Sequence, residues 1–126
     1  MSHFTTIETQ IRDIAALREA CRELGVDLQE HAVARGYGGN QHKGEYVIKL
    51  KGPYDIALNR QPDGSFGLTC DWWDGHVERE VGANYGRLLQ LYGVHKARTE
   101  AQRKGYTVRR QTLGDGAIRL VIGGVA

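Results

Sequence analysis

The chain has 126 residues, of which 40% are apolar and 25% are charged, and its formal net charge is +2. This length suits a single domain, residues 1–126, with one core, and the composition is that of an ordinary globular protein. No apolar run approaches the ~18 residues of a membrane-spanning helix, and the N-terminal residues lack the apolar stretch of a secretory signal. The composition therefore predicts a cytoplasmic protein without a transmembrane helix.

Charge is distributed unevenly along the chain. Residues 1–86 contain 9 Lys or Arg and 13 Asp or Glu, whereas residues 87–126 contain 8 Lys or Arg and 2 Asp or Glu. A basic end of this kind is compatible with an acidic protein partner, with nucleic acid, or with a plain solvated surface.

The first helix is predicted from apolar residues that recur every three or four positions between Ile11 and Leu24. Thr9 or Glu8 is the expected N-cap, and Gly25 supplies the left-handed residue that ends the helix.

Most of the remaining segments predict strands. Alternating or β-branched residues predict strands over 2–8, 27–34, 45–51, 54–59, 65–73, 106–112 and 117–122. Asp-Gly pairs at 63–64 and 115–116 predict tight hairpin turns. The glycine-rich segment 36–44 is expected to be the most flexible part of the chain, and the end after residue 122 is expected to fray.

A second, longer helix is predicted from His76 to Lys104, capped by Asp74 and ended by Gly105. Its three interior glycines cost roughly 3 kcal/mol relative to alanine, so we expect another backbone to approach closely and compensate. The alternative is a break at Gly93. The small residues concerned recur at intervals of four or seven, at Gly82, Gly86, Gly93, Ala97 and Ala101.

The predicted order is β-α-β-β-β-β-α-β-β, which indicates an α+β fold. We expect a mainly antiparallel sheet of about six to seven strands, with two helices packed on one face. Because the strands alternate in polarity, the other face is expected to be wet.

The segment 71–76 is the first candidate site, because it combines two tryptophans with acidic residues and a histidine. Neighbouring strand residues point to opposite faces, so if one of Trp72 and Trp73 enters the core, the other faces solvent or a partner and resembles a protein-interaction hot spot. The alternative is that a helix or loop covers the second ring as well. Asp71, Asp74 and His76 are also raw material for a metal site or for acid–base chemistry, although a helix cap explains Asp74 better.

Other polar features give weaker signals. Segment 36–44 lacks the spacing of a phosphate-binding loop, and Cys21 and Cys70 are expected to be buried apolar side chains. No metal or other cofactor is predicted. A basic patch near the C-terminus is the candidate nucleic-acid surface, although it matches none of the common modules and solvated surface explains it better. It comprises Arg98, Arg103, Lys104, Arg109 and Arg110.

Several stretches together resemble the uncharacterised protein family of a hypothetical chloroplast reading frame, found in red-algal plastids, cyanobacteria and other bacteria. The stretches that carry this resemblance are 2–7, Tyr54-Asp55-Ile56, Asp71-Trp72-Trp73, 77–80, 92–96, Gly105-Tyr106 and 115–121. The resemblance implies a cytoplasmic or stromal protein without an assigned reaction. It further implies an accessory role near an AAA-type ATPase or a small ferredoxin-like protein.

Three hypotheses of function follow. The first is a non-enzymatic accessory or adaptor protein that binds another protein through the segment 71–76, with a homodimer as a further possibility because an edge strand can pair between subunits. The second is a nucleic-acid-binding module that uses the basic patch. The third is a small enzyme with an Asp/His site.

Overall fold

The computed structural model describes residues 4–125, so the predicted starting residues Ser2 and His3 of the first strand and the last residue, Ala126, lie outside it. The strands are β1 (Phe4–Glu8), β2 (Asp27–Arg35), β3 (Gln41–Lys49), β4 (Ile56–Arg60), β5 (Phe66–Asp71), β6 (Tyr106–Thr112) and β7 (Ile118–Val125). The helices are α1 (Ile14–Leu24), the single-turn α2 (Glu78–Val81) and α3 (Gly86–Arg103). The predicted α+β class and antiparallel pairing are confirmed.

The seven strands form a five-stranded sheet and a separate two-stranded ribbon. The sheet has the order β1-β5-β4-β3-β2, and each neighbouring pair is antiparallel. The ribbon joins β6 to β7 through a turn in which Gly116 has φ 88° and Asp115 accepts a hydrogen bond from the Ala117 amide. Val125 pairs with Tyr106, so the predicted fraying after residue 122 is wrong.

Helices α1 and α3 cover one face of the sheet, as predicted. The apolar stripe of α1 and the buried side of α3 meet alternate residues of the strands in one cluster. Members of this cluster include Leu17, Cys21, Ile48, Ile56, Leu58, Leu68, Leu88 and Leu91. The same periodicity that predicted the elements therefore places their apolar faces together.

The ends of α1 agree with the sequence only in part. Gly25 has φ 72° and ends the helix as predicted, but the N-cap is Asp13, whose carboxylate accepts a hydrogen bond from the Ala16 amide at 3.1 Å. The Thr9 hydroxyl instead donates to the Phe66 carbonyl at 2.8 Å and accepts from the Ile11 amide. Thr9 therefore joins the segment before α1 to β5, and the predicted cap at Thr9 or Glu8 is wrong because Asp13 caps the helix.

The second face of the sheet is not wet, because residues 31–45 fold back across it. We call this segment the β2–β3 arm; it begins at His31, which has φ 47°. Ala34 of the arm is buried in a second small cluster with Val47 and Ala57, which alternate with residues of the main core and so lie on the opposite face. The prediction of one open face is therefore wrong.

The arm reaches as far as β1. Gly36 lies so close to the Phe4 ring that a side-chain Cβ at position 36 would be 2.6 Å from the ring's Cζ atom. His42 stacks against the same ring with 5.3 Å between centroids. Since positions 41–44 belong to β3, the glycine-rich segment is a docked strand and a short turn and not the flexible loop that we predicted.

A buried carboxylate fastens the arm to the sheet. Asp55, which is fully buried, accepts two hydrogen bonds from the Arg35 guanidinium at 2.7 and 2.8 Å and one from the Leu50 amide at 3.1 Å. Lys49 lies 3.4 Å away and also donates to the Val33 carbonyl at 2.7 Å. Burial alone would raise the pKa of Asp55, but the hydrogen bonds from Arg35 and from backbone amides outweigh it and lower that pKa.

The predicted second helix is interrupted, and the interruption is not at Gly93. Gly82 has φ 85° and ψ 166°, and Asn84 and Tyr85 follow with left-handed backbones, so α3 starts only at Gly86. The helix ends at Arg103 and Gly105 has φ 83°, as predicted. The break lets the Tyr85 side chain enter the core, where it is completely buried.

The close backbone approach expected at the glycines of this helix is also wrong. A Cβ atom built at Gly86 or at Gly93 would meet no atom within 4 Å, and both residues are exposed. Gly82 lies in the break, where its backbone conformation requires glycine. Of the three glycines, Gly82 alone is required by a contact or a backbone conformation within the described residues.

Candidate protein-binding site

The side chain of Asp71 holds together the segments that form the candidate site. It ends β5, its side chain is buried, and its two carboxylate oxygens accept hydrogen bonds from different segments. One oxygen accepts from the Trp73 amide at 2.9 Å, and the other accepts from the Tyr37 amide at 3.1 Å. A single carboxylate therefore joins the turn after β5 to the tip of the β2–β3 arm.

The two tryptophans differ in exposure as predicted, but they lie in the turn 72–75 because β5 ends at Asp71 and does not reach Trp73. Trp72 is partly buried and packs against the core, with its ring 4.8 Å from that of Tyr85. Trp73 is 50% exposed. Left-handed backbones at Asp74 and Gly75 reverse the chain directly afterwards.

Tyr37 lies beside Trp73 and extends the exposed aromatic surface. The two rings meet edge to face with 5.6 Å between centroids and an interplanar angle of 68°, and Tyr37 is 40% exposed. Such edge-to-face pairs are a favoured arrangement of aromatic rings. We call Tyr37 and Trp73 the aromatic pair.

The sequence did not identify Tyr37 as a site residue. Its position in a glycine-rich segment indicated a mobile loop, and nothing in the spacing brings residue 37 next to residue 73. The available signal was a large aromatic residue between glycines at a hairpin tip, a position where aromatic side chains have no core to enter.

Asp74 does not cap a helix. Its backbone is left-handed with φ 57°, its carbonyl accepts a hydrogen bond from Arg79 at 2.7 Å, and α2 begins without a side-chain cap. Its exposed carboxylate lies 3.7 Å from the His76 ring. The prediction of an Asp74 cap is therefore wrong.

His76 faces Tyr54 and not Asp71. The rings of His76 and Tyr54 are 5.0 Å apart and nearly perpendicular, and Arg79 lies 3.3 Å from the His76 Nδ1 atom. Burial, together with the negative charges of Asp71 and Asp74, raises the pKa of Tyr54. Asp71, Asp74 and His76 thus lie in one neighbourhood, but the Asp71 carboxylate is engaged by backbone amides.

Among residues 4–125, no group of three or more His, Cys, Asp or Glu side chains is arranged to hold a metal ion. Cys21 and Cys70 are buried as predicted, and burial raises the pKa of each thiol to about 12. Neither thiol is therefore an ionised nucleophile near neutral pH.

The basic patch divides into one engaged side chain and four exposed ones. Arg110 forms two hydrogen bonds with Glu23, at 2.5 and 3.1 Å, and the His95 ring lies 2.6 Å from the same carboxylate. Arg110 is the largest of the influences that lower the pKa of Glu23. The exposed members lie at the end of α3 and on β6; they are Arg98, Arg103, Lys104 and Arg109.

Comparison with known proteins identifies the family but no activity. The model of the family described as "Protein of unknown function (DUF1257)" matches residues 20–121. The chain is 30% identical to the "Uncharacterized protein ycf35" of Pyropia yezoensis over 126 residues, which covers 97% of this chain and 96% of the relative. No solved structure matches the chain.

These matches confirm the resemblance to the uncharacterised chloroplast reading-frame family that the sequence motifs carried. In the described part of the chain, none of the helices is both long and apolar enough to cross a membrane.

Proposed function

We propose that this chain, which belongs to the DUF1257 family of proteins of unknown function, is a non-enzymatic accessory protein that binds another protein through Tyr37 and Trp73. The observation that carries the proposal is the exposure of both rings of the aromatic pair beside each other. Trp and Tyr are enriched among the residues that dominate binding energy at protein interfaces.

The support beneath the aromatic pair favours a binding role over an accidental exposure. Asp71 holds the backbone amides of both residues, and Trp72 anchors the turn in the core. Because the backbone under the two rings is held in place before a partner arrives, less conformational freedom is lost on binding. Asp74 and His76 flank the pair and would form part of the polar rim.

An enzymatic role for Asp71 and His76 has less support. A general acid or base must reach its substrate, whereas the Asp71 carboxylate is buried and accepts hydrogen bonds from two amides. The nucleic-acid alternative keeps the four exposed members of the basic patch but loses Arg110 to Glu23. It predicts retention on heparin that falls steeply with salt.

The partner and its compartment belong to the same proposal. We place the protein in the cytoplasm, or in the stroma where a plastid encodes it. An AAA-type ATPase and a small ferredoxin-like protein, which the family resemblance implies, are the first partners to test.

The proposal is tested by affinity purification from the native cell with four forms of the chain. Trp73→Ala and Tyr37→Ala should each reduce recovery of a specific partner, because each removes an exposed ring. Tyr106→Ala is the matched control, since Tyr106 is a similarly exposed tyrosine on β6. Equal recovery by all four forms, with unchanged melting temperatures, would exclude the aromatic pair as the binding site.

A further inference from the structure

The outer edge of β1 is free in the described chain. β1 pairs with β5 on one side, and no other strand of residues 4–125 pairs with its other side. A free edge presents unpaired amides and carbonyls to any extended chain, and proteins usually protect such edges with lysine, proline, a bulge or a covering segment. β1 has the sequence Phe4-Thr5-Thr6-Ile7-Glu8, and it contains no lysine, no proline and no bulge.

The other free edges carry more protection. β2 contains Asp27, Glu30 and Arg35, and its backbone turns into the arm at His31. β6 has consecutive arginines at 109 and 110, and β7 has Arg119. Pairing of β6 or β7 with its own copy would bring positive charges together, whereas β1 carries a single charge, at Glu8.

An apolar groove adjoins the end of β1. It has a volume of about 470 Å³ and lies between the connection to α1 and the exposed side of α3. Ile11, Leu89, Tyr92 and Gly93 line it, together with the polar residues Glu8, Thr9 and Gln10.

Gly93 is an exposed glycine in the middle of α3, at the wall of this groove. An exposed mid-helix glycine costs about 1 kcal/mol relative to alanine, and in this chain no neighbouring atom lies within 4 Å of where its Cβ would be. The missing side chain therefore has no use inside the described chain. It does leave room for another molecule to approach the backbone of α3 at this point.

We propose that the β1 edge and this groove form a homodimer interface, in which β1 pairs antiparallel with β1 of a second copy. Pairing centred on Thr6 places Phe4 opposite Glu8 of the second copy. The two Glu8 residues are then four positions apart, roughly 13 Å at the usual rise of a strand, which exceeds the Debye length of ~8 Å at physiological salt. The negative charge of each edge therefore opposes this pairing only weakly.

The pairing joins the two five-stranded sheets into one sheet of ten strands, and it places the two grooves, which begin at Glu8, on opposite sides of the dimer axis at Thr6. Gly93 then leaves room beside α3 of each copy for the second copy to approach. A twofold interface of this kind uses the same patch on both subunits and closes on itself.

The test is the molar mass of the full chain in solution, measured by light scattering after size-exclusion chromatography at about 10–100 μM. We expect twice the chain mass of 14.0 kDa. Thr6→Lys places two like charges at the axis, and Gly93→Arg fills the groove with a charged side chain. Each should give a monomer, whereas Thr99→Arg, at an exposed position elsewhere on α3, should leave the dimer intact.

Gly93→Arg keeps the test independent of folding, because the new side chain enters open space and arginine is a better helix former than glycine. Its circular dichroism spectrum should match that of the parent chain. A monomeric parent at 100 μM would overturn the proposal. A dimer that survives both Thr6→Lys and Gly93→Arg would also overturn it, because the subunits would then meet through another surface.

Discussion

At the scale of single residues, Asp55 is the buried polar side chain that connects the β2–β3 arm to the rest of the sheet. It is fully buried, and its partners come from β2, from β3 and from the backbone that follows β3. Because the arm covers the second face of the sheet, loss of this carboxylate loosens both the arm and the small cluster beneath it.

The variant Asp55→Asn is expected to lower the free energy of unfolding by about 2 kcal/mol, because an amide at this fully buried position sets an N–H donor against the Arg35 and Leu50 donors that the carboxylate now accepts from. Urea unfolding followed by tryptophan fluorescence measures the change. Glu19→Gln is the control: it breaks the exposed Arg22–Glu19 pair and should cost less than about 0.5 kcal/mol. Equal losses in the free energy of unfolding for the two variants would show that the Asp55 carboxylate does not hold the arm to the sheet.

The same carboxylate predicts a dependence of stability on pH. The pKa of Asp55 is lowered by folding, as is that of Glu23, so the folded state binds these protons less readily than the unfolded state does. Their contribution is complete above the unfolded pKa, about 4, and is lost as the pH falls through the lower folded values. Unfolding free energies between pH 7 and pH 3 should therefore decline at the acid end, and Asp55→Asn should flatten that decline. Parallel curves for the two proteins would contradict this prediction.

At the scale of elements, the start of α3 is where the sequence was least informative. The apolar spacing of Val81, Tyr85, Leu88 and Tyr92 fits one continuous helix, and all four residues are indeed buried. The break preserves their burial while changing the backbone, so the hydrophobic period cannot reveal it. The usable signal was Gly82, but the sequence alone does not separate it from Gly86 and Gly93.

The variant Gly82→Ala should be destabilising by about 2 kcal/mol, because φ 85° with ψ 166° is a conformation that essentially only glycine adopts. The added Cβ would also lie 2.8 Å from the Arg87 amide nitrogen. Gly86 has a helical backbone, and the position of its missing Cβ atom is open space. Gly86→Ala should therefore be neutral or slightly stabilising. Thermal unfolding of both variants distinguishes the break from a continuous helix, in which the two substitutions would both stabilise.

The arm was the second element that local sequence could not predict. Strand boundaries and the alternation of apolar residues predicted β2 and β3 correctly in kind. The fold-back, however, depends on contacts across long separations in the chain, such as Arg35 with Asp55 and Gly36 with Phe4. Pattern reasoning gives the period of a strand and does not give its curvature.

At the scale of the whole molecule, one charged cluster joins the ribbon to the body. Glu23 of α1 contacts His95 of α3 and Arg110 of β6, so three elements meet at a single carboxylate. Sequence reasoning assigned Arg110 to the basic patch. Its partner lies 87 positions away, which charge counting along the chain cannot show.

The variant Glu23→Gln should loosen the ribbon without unfolding the sheet. Amide hydrogen exchange of residues 106–125 is expected to accelerate about tenfold, while exchange in β3, β4 and β5 stays unchanged, because only the attachment of the ribbon is weakened. Glu100→Gln, which removes the exposed Lys96–Glu100 pair, is the control. Uniform acceleration across the chain would contradict a local role for Glu23.

The exposed surface around Trp73 was predicted in part. The tandem tryptophans predicted that one ring enters the core while the other is exposed, and Trp72 is indeed partly buried while Trp73 is exposed, although both lie in the turn after β5 and not on a strand. The sequence could not choose between Trp72 and Trp73, because the turn at Asp74 and Gly75 decides the choice. It also could not supply Tyr37, which reaches the site only through the arm and the shared Asp71 carboxylate.

The proposed function depends most directly on the exposed ring of Trp73. Once a partner has been purified, isothermal titration calorimetry should give a dissociation constant about 30-fold weaker for Trp73→Ala than for the parent chain, corresponding to about 2 kcal/mol for an interfacial tryptophan. Tyr106→Ala should bind as the parent does. A dissociation constant for Trp73→Ala within twofold of the parent value would contradict a role for the aromatic pair in binding.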